Sequence, residues 1–374
     1  MAMKVGILTY HRAFNYGAYL QSCALCGKLN EISGVEAEII DFQMVREKKH
    51  YELKRLPLKR KVLKLYRGSY FFEKKLERCF KKALNDPVMV KSKESLVSDS
   101  IEDFTAFVDG KYDVIVAGSD EIWKVDNFRG FPTPYLLGGD LHCKKMSYAA
   151  SARIDFRKVL SKSDYIRLKK ELSDFDFISV RDQLTYDEVT EAIGEGADVA
   201  ICCDPSFLYK FDTTNVHVLE RLRSEKGFRT DRKTIMVMID DTKAAKKIRE
   251  SLSDYNLISV YKPYKGYINV AELSPIEWVS LIDSADYVIA SYFHAICFSI
   301  VSNTPFIAVG TRNKKSKLLE LLNGTKLSEN YRETEDLSNI NELIGSSIGR
   351  SADYSEFVEE KRKTFNVFLR HLSE

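Results

Sequence analysis

Several short stretches place ionisable or hydrogen-bonding side chains where an apolar run ends, and they carry the chemistry this chain offers. His294 lies in Ala290-Ser291-Tyr292-Phe293-His294-Ala295, between the apolar run Tyr287 to Ser291 and a helix-like run Ala295 to Val301. A lone histidine more often packs than reacts. This one is better placed than the other five, because imidazole titrates near neutrality and at a helix amino terminus donates a proton or pairs with an anion. Gly118-Ser119-Asp120-Glu121-Ile122-Trp123 ends another apolar run. There Asp120 suits a general base for a hydroxyl, with a helix cap as its plain alternative. Ser119 and Glu121 stand beside it as polar contacts for an acceptor or anion.

Ser179-Val180-Arg181-Asp182 closes a third run, and Arg181 offers a planar fork that fits a carboxylate or phosphate. Its alternative is an ion pair with Asp182 or Asp187. His11-Arg12-Ala13-Phe14-Asn15-Tyr16-Gly17-Ala18 follows the first apolar run, so Arg12, Asn15 and Gly17 are candidates for binding an anion or sugar hydroxyls at a helix start. The alternative there is an ordinary loop with Asn15 as the cap. Thr311-Arg312-Asn313-Lys314-Lys315-Ser316-Lys317 precedes another helix, and Arg312 and Lys314 suit phosphate or, more commonly, a solvated surface.

The elements that must position these groups alternate strand and helix. The first half reads as strands at Lys4 to Tyr10, Glu38 to Phe42, Tyr112 to Gly118, Met146 to Ala150, Phe177 to Val180 and Val199 to Cys203, with a helix from Ala18 to about Ile32. Runs bounded by Gly, Asp or Ser in this way are typical of buried parallel strands. After the charged stretch Lys210 to Lys233, strands resume at Thr234 to Ile239, Leu257 to Tyr261, Tyr287 to Ser291 and Phe306 to Val309. The expected fold is α/β: two Rossmann-like domains with parallel sheets, one over 1–208 with a basic helical insertion at about 45–105, the other over 209–352. Between two such domains a central cleft is expected, lined by the carboxyl ends of strands. Residues 353–374 predict an amphipathic helix, with Phe357, Val358, Phe365, Phe368, Leu369 and Leu372 on one face, packing back on the body.

Composition narrows the class. The chain has 374 residues, 44% hydrophobic and 30% charged, as in a globular protein. No apolar run approaches the roughly 18 to 20 residues of a membrane span, and the start, MAMKVGILTY, lacks a signal-peptide pattern. Seven cysteines without a regular framework fit a reducing compartment, so a cytoplasmic protein is expected. Cys23 and Cys26 form a C-x-x-C without a second pair, which reads as helix packing rather than zinc or redox chemistry. No metal or cofactor is expected, and no nucleic acid. From Val45 to Lys82 there are 15 Lys or Arg against 4 Asp or Glu, a surplus of 11 in a chain of net charge +3, which leaves −8 elsewhere. Such a block predicts helices with a nonspecific attraction for anions, an acidic membrane surface among them.

Taken in order, the motifs resemble one family. They are G-I-L-T-Y-H-R-x-x-N-Y-G-A-x-L-Q, Y-D-V-I-V-A-G-S-D-E-I-W, S-Y-A-A-S at 147–151, S-V-R-D at 179–182, D-P-S at 204–206, S-Y-F-H-A at 291–295 and N-T-P-F at 303–306. Together, over about residues 4 to 320, this resembles the bacterial polysaccharide pyruvyl transferases. The resemblance implies a GT-B-like arrangement, phosphoenolpyruvate as donor, and the sugar diol of a cell-surface polysaccharide or lipid-linked glycan as acceptor, joined as a cyclic ketal. It also implies Arg181 in donor binding and His294 as acid or phosphate ligand. Where many members read R-L-H this chain has Tyr292-Phe293-His294, so Tyr292 and Phe293 occupy donor-binding positions without the arginine, and Arg312, Lys314 or Arg12 would compensate. Glu121 and Lys124 stand where members often carry Gln and Asn. Two other readings are a GT-B-like glycosyltransferase using a nucleotide sugar and a noncatalytic anion- or membrane-binding relative.

Overall fold

The computed structural model describes residues 2–51, 69–194, 198–311, 314–347 and 352–374. The chain divides into two compact units. The first holds the described residues of Met1–Arg55, Leu84–Tyr209 and Glu359–Glu374; the second holds those of Leu56–Ala83 and Lys210–Val358.

Strands β1 (Met3–Leu8), β2 (Val35–Ile39), β3 (Phe42–Gln43), β4 (Leu96–Val97), β5 (Val114–Asp120), β6 (Lys144–Ala150), β7 (Phe177–Val180) and β8 (Val199–Ile201) belong to the first unit. Six of them form a sheet in the order β2-β1-β5-β6-β7-β8, all parallel, while β3 and β4 pair separately. The inner strands are apolar almost throughout because helices cover both faces, leaving no solvated side for a polar alternate. Around them Phe42, Phe104, Trp123 and Tyr135 are fully buried, with Phe42 edge-on to Phe104 at 5.0 Å.

The second unit carries β9 (Thr234–Met238), β10 (Asn256–Val260), β11 (Ile268–Val270), β12 (Tyr287–Ala290), β13 (Phe306–Gly310) and β14 (Tyr331–Glu333). Their order is β11-β10-β9-β12-β13-β14, again all parallel. The expected strands appear in both sheets, except that Glu38 to Phe42 is divided: β2 ends at Ile39 and Phe42 belongs to the separate β3–β4 pair. The short edge strands β11 and β14 lie beyond the sequence reading, since three residues are too few to show a period. Several helices start on the residue chemistry that favours a start: Asn15, Asp182, Asp241 and Ser274 each accept a first-turn N–H, and Ser274 with Glu277 forms a capping box.

Two boundaries differ from expectation. The helix Ser69–Ala83, at the end of the basic block, belongs to the second unit, where Lys75 pairs with Glu272 at 3.3 Å. The terminal stripe is two helices, Ser355–Lys363 and Phe365–Ser373. The break falls at Thr364, whose hydroxyl accepts from the Cys203 N–H at 2.9 Å while its carbonyl accepts from the Cys202 thiol. The second helix packs back on the first unit. Phe365 and Phe368 stand edge-on to Tyr148 at 5.4 and 5.0 Å, and His371 stacks on Phe177 at 4.0 Å. Phe357 and Val358, earlier on the same stripe, are buried within the second unit.

Candidate functional site

In an open parallel sheet, ligands gather where the strand order reverses, because neighbouring crossovers there leave in opposite directions and free the carboxyl ends of two strands. In the first sheet that point lies between β1 and β5. In the second it lies between β9 and β12. Both points carry residues singled out by the sequence.

At the first switch point Thr9 donates its hydroxyl to the Ser119 carbonyl at 3.3 Å, tying the two strand ends together. Asp120 ends β5 with φ +68°, a left-handed conformation that costs an ordinary side chain energy. It does not cap a helix: an irregular loop follows, and its Oδ1 accepts from the Glu121 N–H at 2.9 Å. Arg181 leaves β7 and brings Nη2 to 3.8 Å from Asp120, while Nη1 donates to Asp204 at 2.8 Å. The alternative reading of Arg181, an ion pair, holds in kind, but the carboxylates it is seen to reach are Asp120 and Asp204. Asp182 instead caps the next helix and accepts from the Ser151 hydroxyl at 2.6 Å. Ser119 is buried, and its hydroxyl, like that of Ser206, meets no hydrogen-bond partner among the described residues.

The loop after β1 is more self-contained than its composition suggests. Asn15 accepts from the N–H groups of Gly17 and Ala18, so those donors are turned inward and do not face an anion. Arg12 donates to Asp41 at 2.6 Å, and His11 and Lys91 bring Asp41 two further hydrogen bonds at 3.0 and 2.8 Å. Burial opposes ionisation, but the hydrogen bonds from His11, Arg12 and Lys91 outweigh it and hold Asp41 well below the usual carboxylate range. The sequence reading missed Asp41. The sequence put it inside the expected strand Glu38 to Phe42, whereas β2 ends at Ile39 and leaves Asp41 just past the strand.

At the second switch point Asp240, just past β9, accepts from the Ser291 hydroxyl at 3.2 Å and pairs with Lys314 at 3.1 Å. The Lys314 ammonium lies 3.0 Å from the centroid of the Tyr292 ring, which stacks on Tyr261 at 5.0 Å. Burial drives Lys314 down to about 8 against the attraction of Asp240. The carboxyl of Asp240 is lowered because Lys314 outweighs its own burial. Tyr292, Phe293 and His294 form the start of the helix Phe293–Val301, which has no side-chain cap. All three are partly buried. Tyr292 and Lys314 are thus brought together, as are Asp120 and Arg181. Arg312 lies outside the described residues. Asp240 and Asp204 were not foreseen as site residues, although Asp204 belongs to the quoted D-P-S.

The C-x-x-C thiols are interior. Cys26 donates to the Ala37 carbonyl at 3.3 Å, and burial pushes its thiol up to about 12. Among the described residues no group of three or more His, Cys, Asp or Glu is placed to hold a metal ion, and no helix is long and apolar enough to cross a membrane.

A family model described as polysaccharide pyruvyl transferase matches residues 15–313. The chain belongs to the polysaccharide pyruvyl transferase family. Membership makes it a transferase, and the matched residues include Asp120, Arg181, Asp204, Asp240 and His294, drawn from both switch points. No curated protein matches the sequence. Among solved structures, the UDP-GlcNAc 2-epimerase of Methanocaldococcus jannaschii is similar with a TM-score of 0.58 at 12% identity, covering 100% of this chain and 99% of that one. The UDP-GlcNAc 2-epimerase of Neisseria meningitidis, solved bound to UDP-GlcNAc, has a TM-score of 0.52 at 8% identity, with 100% and 99% covered. At such identities the likeness is one of fold. It agrees with a GT-B-like fold for this polysaccharide pyruvyl transferase, with a parallel six-stranded sheet in each of its two units.

Proposed function

We propose that the protein transfers pyruvate from phosphoenolpyruvate to two hydroxyls of a sugar in a cell-surface glycan or its lipid-linked precursor, releasing phosphate. The family match carries this reading, since it spans the strand-edge clusters of both sheets. Protonation of the enol at C3 makes C2 oxocarbenium-like. One sugar hydroxyl then adds to C2, the C2–O bond to phosphate breaks, and a second hydroxyl closes the cyclic ketal. One hydroxyl proton replaces the proton taken up at C3, and the other leaves with phosphate or solvent.

In this reading Asp120 accepts the proton of the attacking hydroxyl. Arg181, already turned toward Asp204 and Asp120, is assigned to positioning Asp120 rather than to gripping the donor. The donor's charge falls to Lys314, which stands in for the arginine that Tyr292 replaces, together with the side-chain-uncapped start of the helix Phe293–Val301. His294, in that first turn, supplies the proton to C3. Ser119 and Glu121 remain acceptor contacts beside Asp120. The exposed basic residues of the helix Ser69–Ala83 fit a peripheral approach to the anionic inner membrane face, where lipid-linked glycans reside.

The test is release of inorganic phosphate from phosphoenolpyruvate with a panel of glycans, with the product checked by mass for an added ketal. Release that requires a glycan and yields that mass supports the reading. Turnover of a nucleotide sugar in its place would assign a glycosyltransferase.

A further inference from the structure

The loops that follow β1, β3 and β5 bring together aromatic residues that the chemistry above does not use. Phe14 comes from the first, His50 and Tyr51 from the helix Val45–Tyr51 after the second, and Phe128 from the third. His50 lies flat on Phe128, with centroids 3.7 Å apart and planes 4° apart. Tyr51 stands edge-on to both, at 5.2 and 5.9 Å, and Phe14 leans on Tyr51 at 5.9 Å. His50 is exposed, and the other three are partly buried.

This shelf is anchored from below. Arg129, 8% exposed, stacks its guanidinium 3.6 Å from the Tyr10 centroid and 4.6 Å from that of Phe128. The same guanidinium donates to Glu47 at 2.8 Å and to the Tyr51 hydroxyl at 3.2 Å, and Tyr135 donates to the second oxygen of Glu47 at 2.9 Å. A buried cation paired with a buried carboxylate thus holds surface rings in a set orientation, whereas burying them would be the simpler way to stabilise the fold. The shelf also adjoins the candidate site. Tyr10, under the Arg129 guanidinium, donates its hydroxyl to the Ile122 carbonyl at 3.1 Å, two residues past Asp120, and Phe14 sits in the loop between Arg12 and Asn15.

We infer that Phe14, His50, Tyr51 and Phe128 form a platform for a pyranose ring of the acceptor glycan, which stacks its apolar C–H face there and presents hydroxyls toward Asp120. The inference rests on the transferase reading for the identity of the acceptor, but it concerns binding and needs no turnover. Rigid aromatic side chains supply apolar contact at small entropic cost, and the polar residues nearby fix orientation.

The test is saturation-transfer NMR of the full chain with methyl glycosides and disaccharides of common hexoses and N-acetylhexosamines, without donor. At least one should bind, with saturation strongest on ring C–H protons. His50→Ala, at the exposed end of the stack, and Phe14→Ala should each weaken that sugar roughly tenfold, the scale of one aromatic contact. Neither touches the Arg129–Glu47 pair, so both should fold, and their affinity for phosphoenolpyruvate should stay unchanged. Failure of any sugar to bind, affinity within twofold of wild type in both variants, or displacement of the sugar by uridine diphosphate would overturn the proposal. A sugar that binds the platform while phosphoenolpyruvate releases no phosphate would refute the donor assignment alone.

Discussion

Asp204 accepts a hydrogen bond from Arg181 Nη1 at 2.8 Å, and their side chains are only 1% and 7% exposed. The pair stands at a strand end from which Arg181 also reaches toward Asp120. Removing one member strands a buried charge. Arg181→Ala should therefore lower stability by about 3 to 5 kcal/mol in urea unfolding, and Arg181→Lys should recover little, lacking the planar fork. The combined Arg181→Met, Asp204→Leu variant should regain most of that stability. In it, kcat should fall roughly a hundredfold because Asp120 loses its alignment, while KM for phosphoenolpyruvate changes little. A large rise in KM with kcat kept would make Arg181 a donor ligand instead.

His294 begins a helix that no side chain caps. His294→Ala should reduce turnover by roughly a hundredfold or more with the fold intact by circular dichroism. His294→Gln keeps a hydrogen bond without a titratable proton and should be equally slow if His294 protonates C3. Substantial activity in the glutamine variant would move His294 to holding phosphate, and a fully active alanine variant would remove it from the chemistry.

Lys314 loses its charge near pH 8 in the folded protein, lowered by burial and partly restored by Asp240. A cation that binds the donor is effective below that value. The ratio kcat/KM for phosphoenolpyruvate, which reports the free enzyme, should hold up to about pH 8 and fall above it. Lys314→Arg should push the fall beyond the measurable range. Asp240→Asn removes the attraction that raises the Lys314 value, so the fall should move to lower pH. A profile that Asp240→Asn and Lys314→Arg both leave unmoved would take Lys314 out of donor binding.

On the helix Ser69–Ala83, Phe72, Leu76, Phe80 and Ala83 are buried, while Lys74, Lys75, Arg78, Lys81, Lys82 and Phe71 are exposed. Vesicles containing anionic lipid should co-sediment with the protein and neutral vesicles should not, with about 1 kcal/mol per contacting cation, fading as salt rises. Reversing Lys74, Arg78 and Lys82 to Glu should abolish the preference and leave turnover on a soluble acceptor unchanged. The part of the basic block at 52–68 lies outside the described residues, and Phe71 on this helix is 65% exposed. Equal sedimentation with both vesicle types at low salt would leave this helix as solvated surface.

The sequence alone determined what local pattern can determine. Strands such as Thr234–Met238 and Phe306–Gly310 announce themselves because a strand buried on both faces must be apolar at every position. The start of the first helix was legible at Asn15 because a cap acts on N–H groups two and three residues away. Asp120, Arg181 and His294 were legible as strand-end groups for the same reason: the end of an apolar run is a local event. Only the tertiary structure decided the partners. Arg12 meets Asp41 across 29 residues, Arg181 meets Asp204 across 23, and Lys314 meets Asp240 from the opposite side of a strand crossover. Ion pairs carry no period, and any of several carboxylates could satisfy a given cation until the sheet order brings two strand ends side by side. The same ordering placed Tyr292 under Lys314.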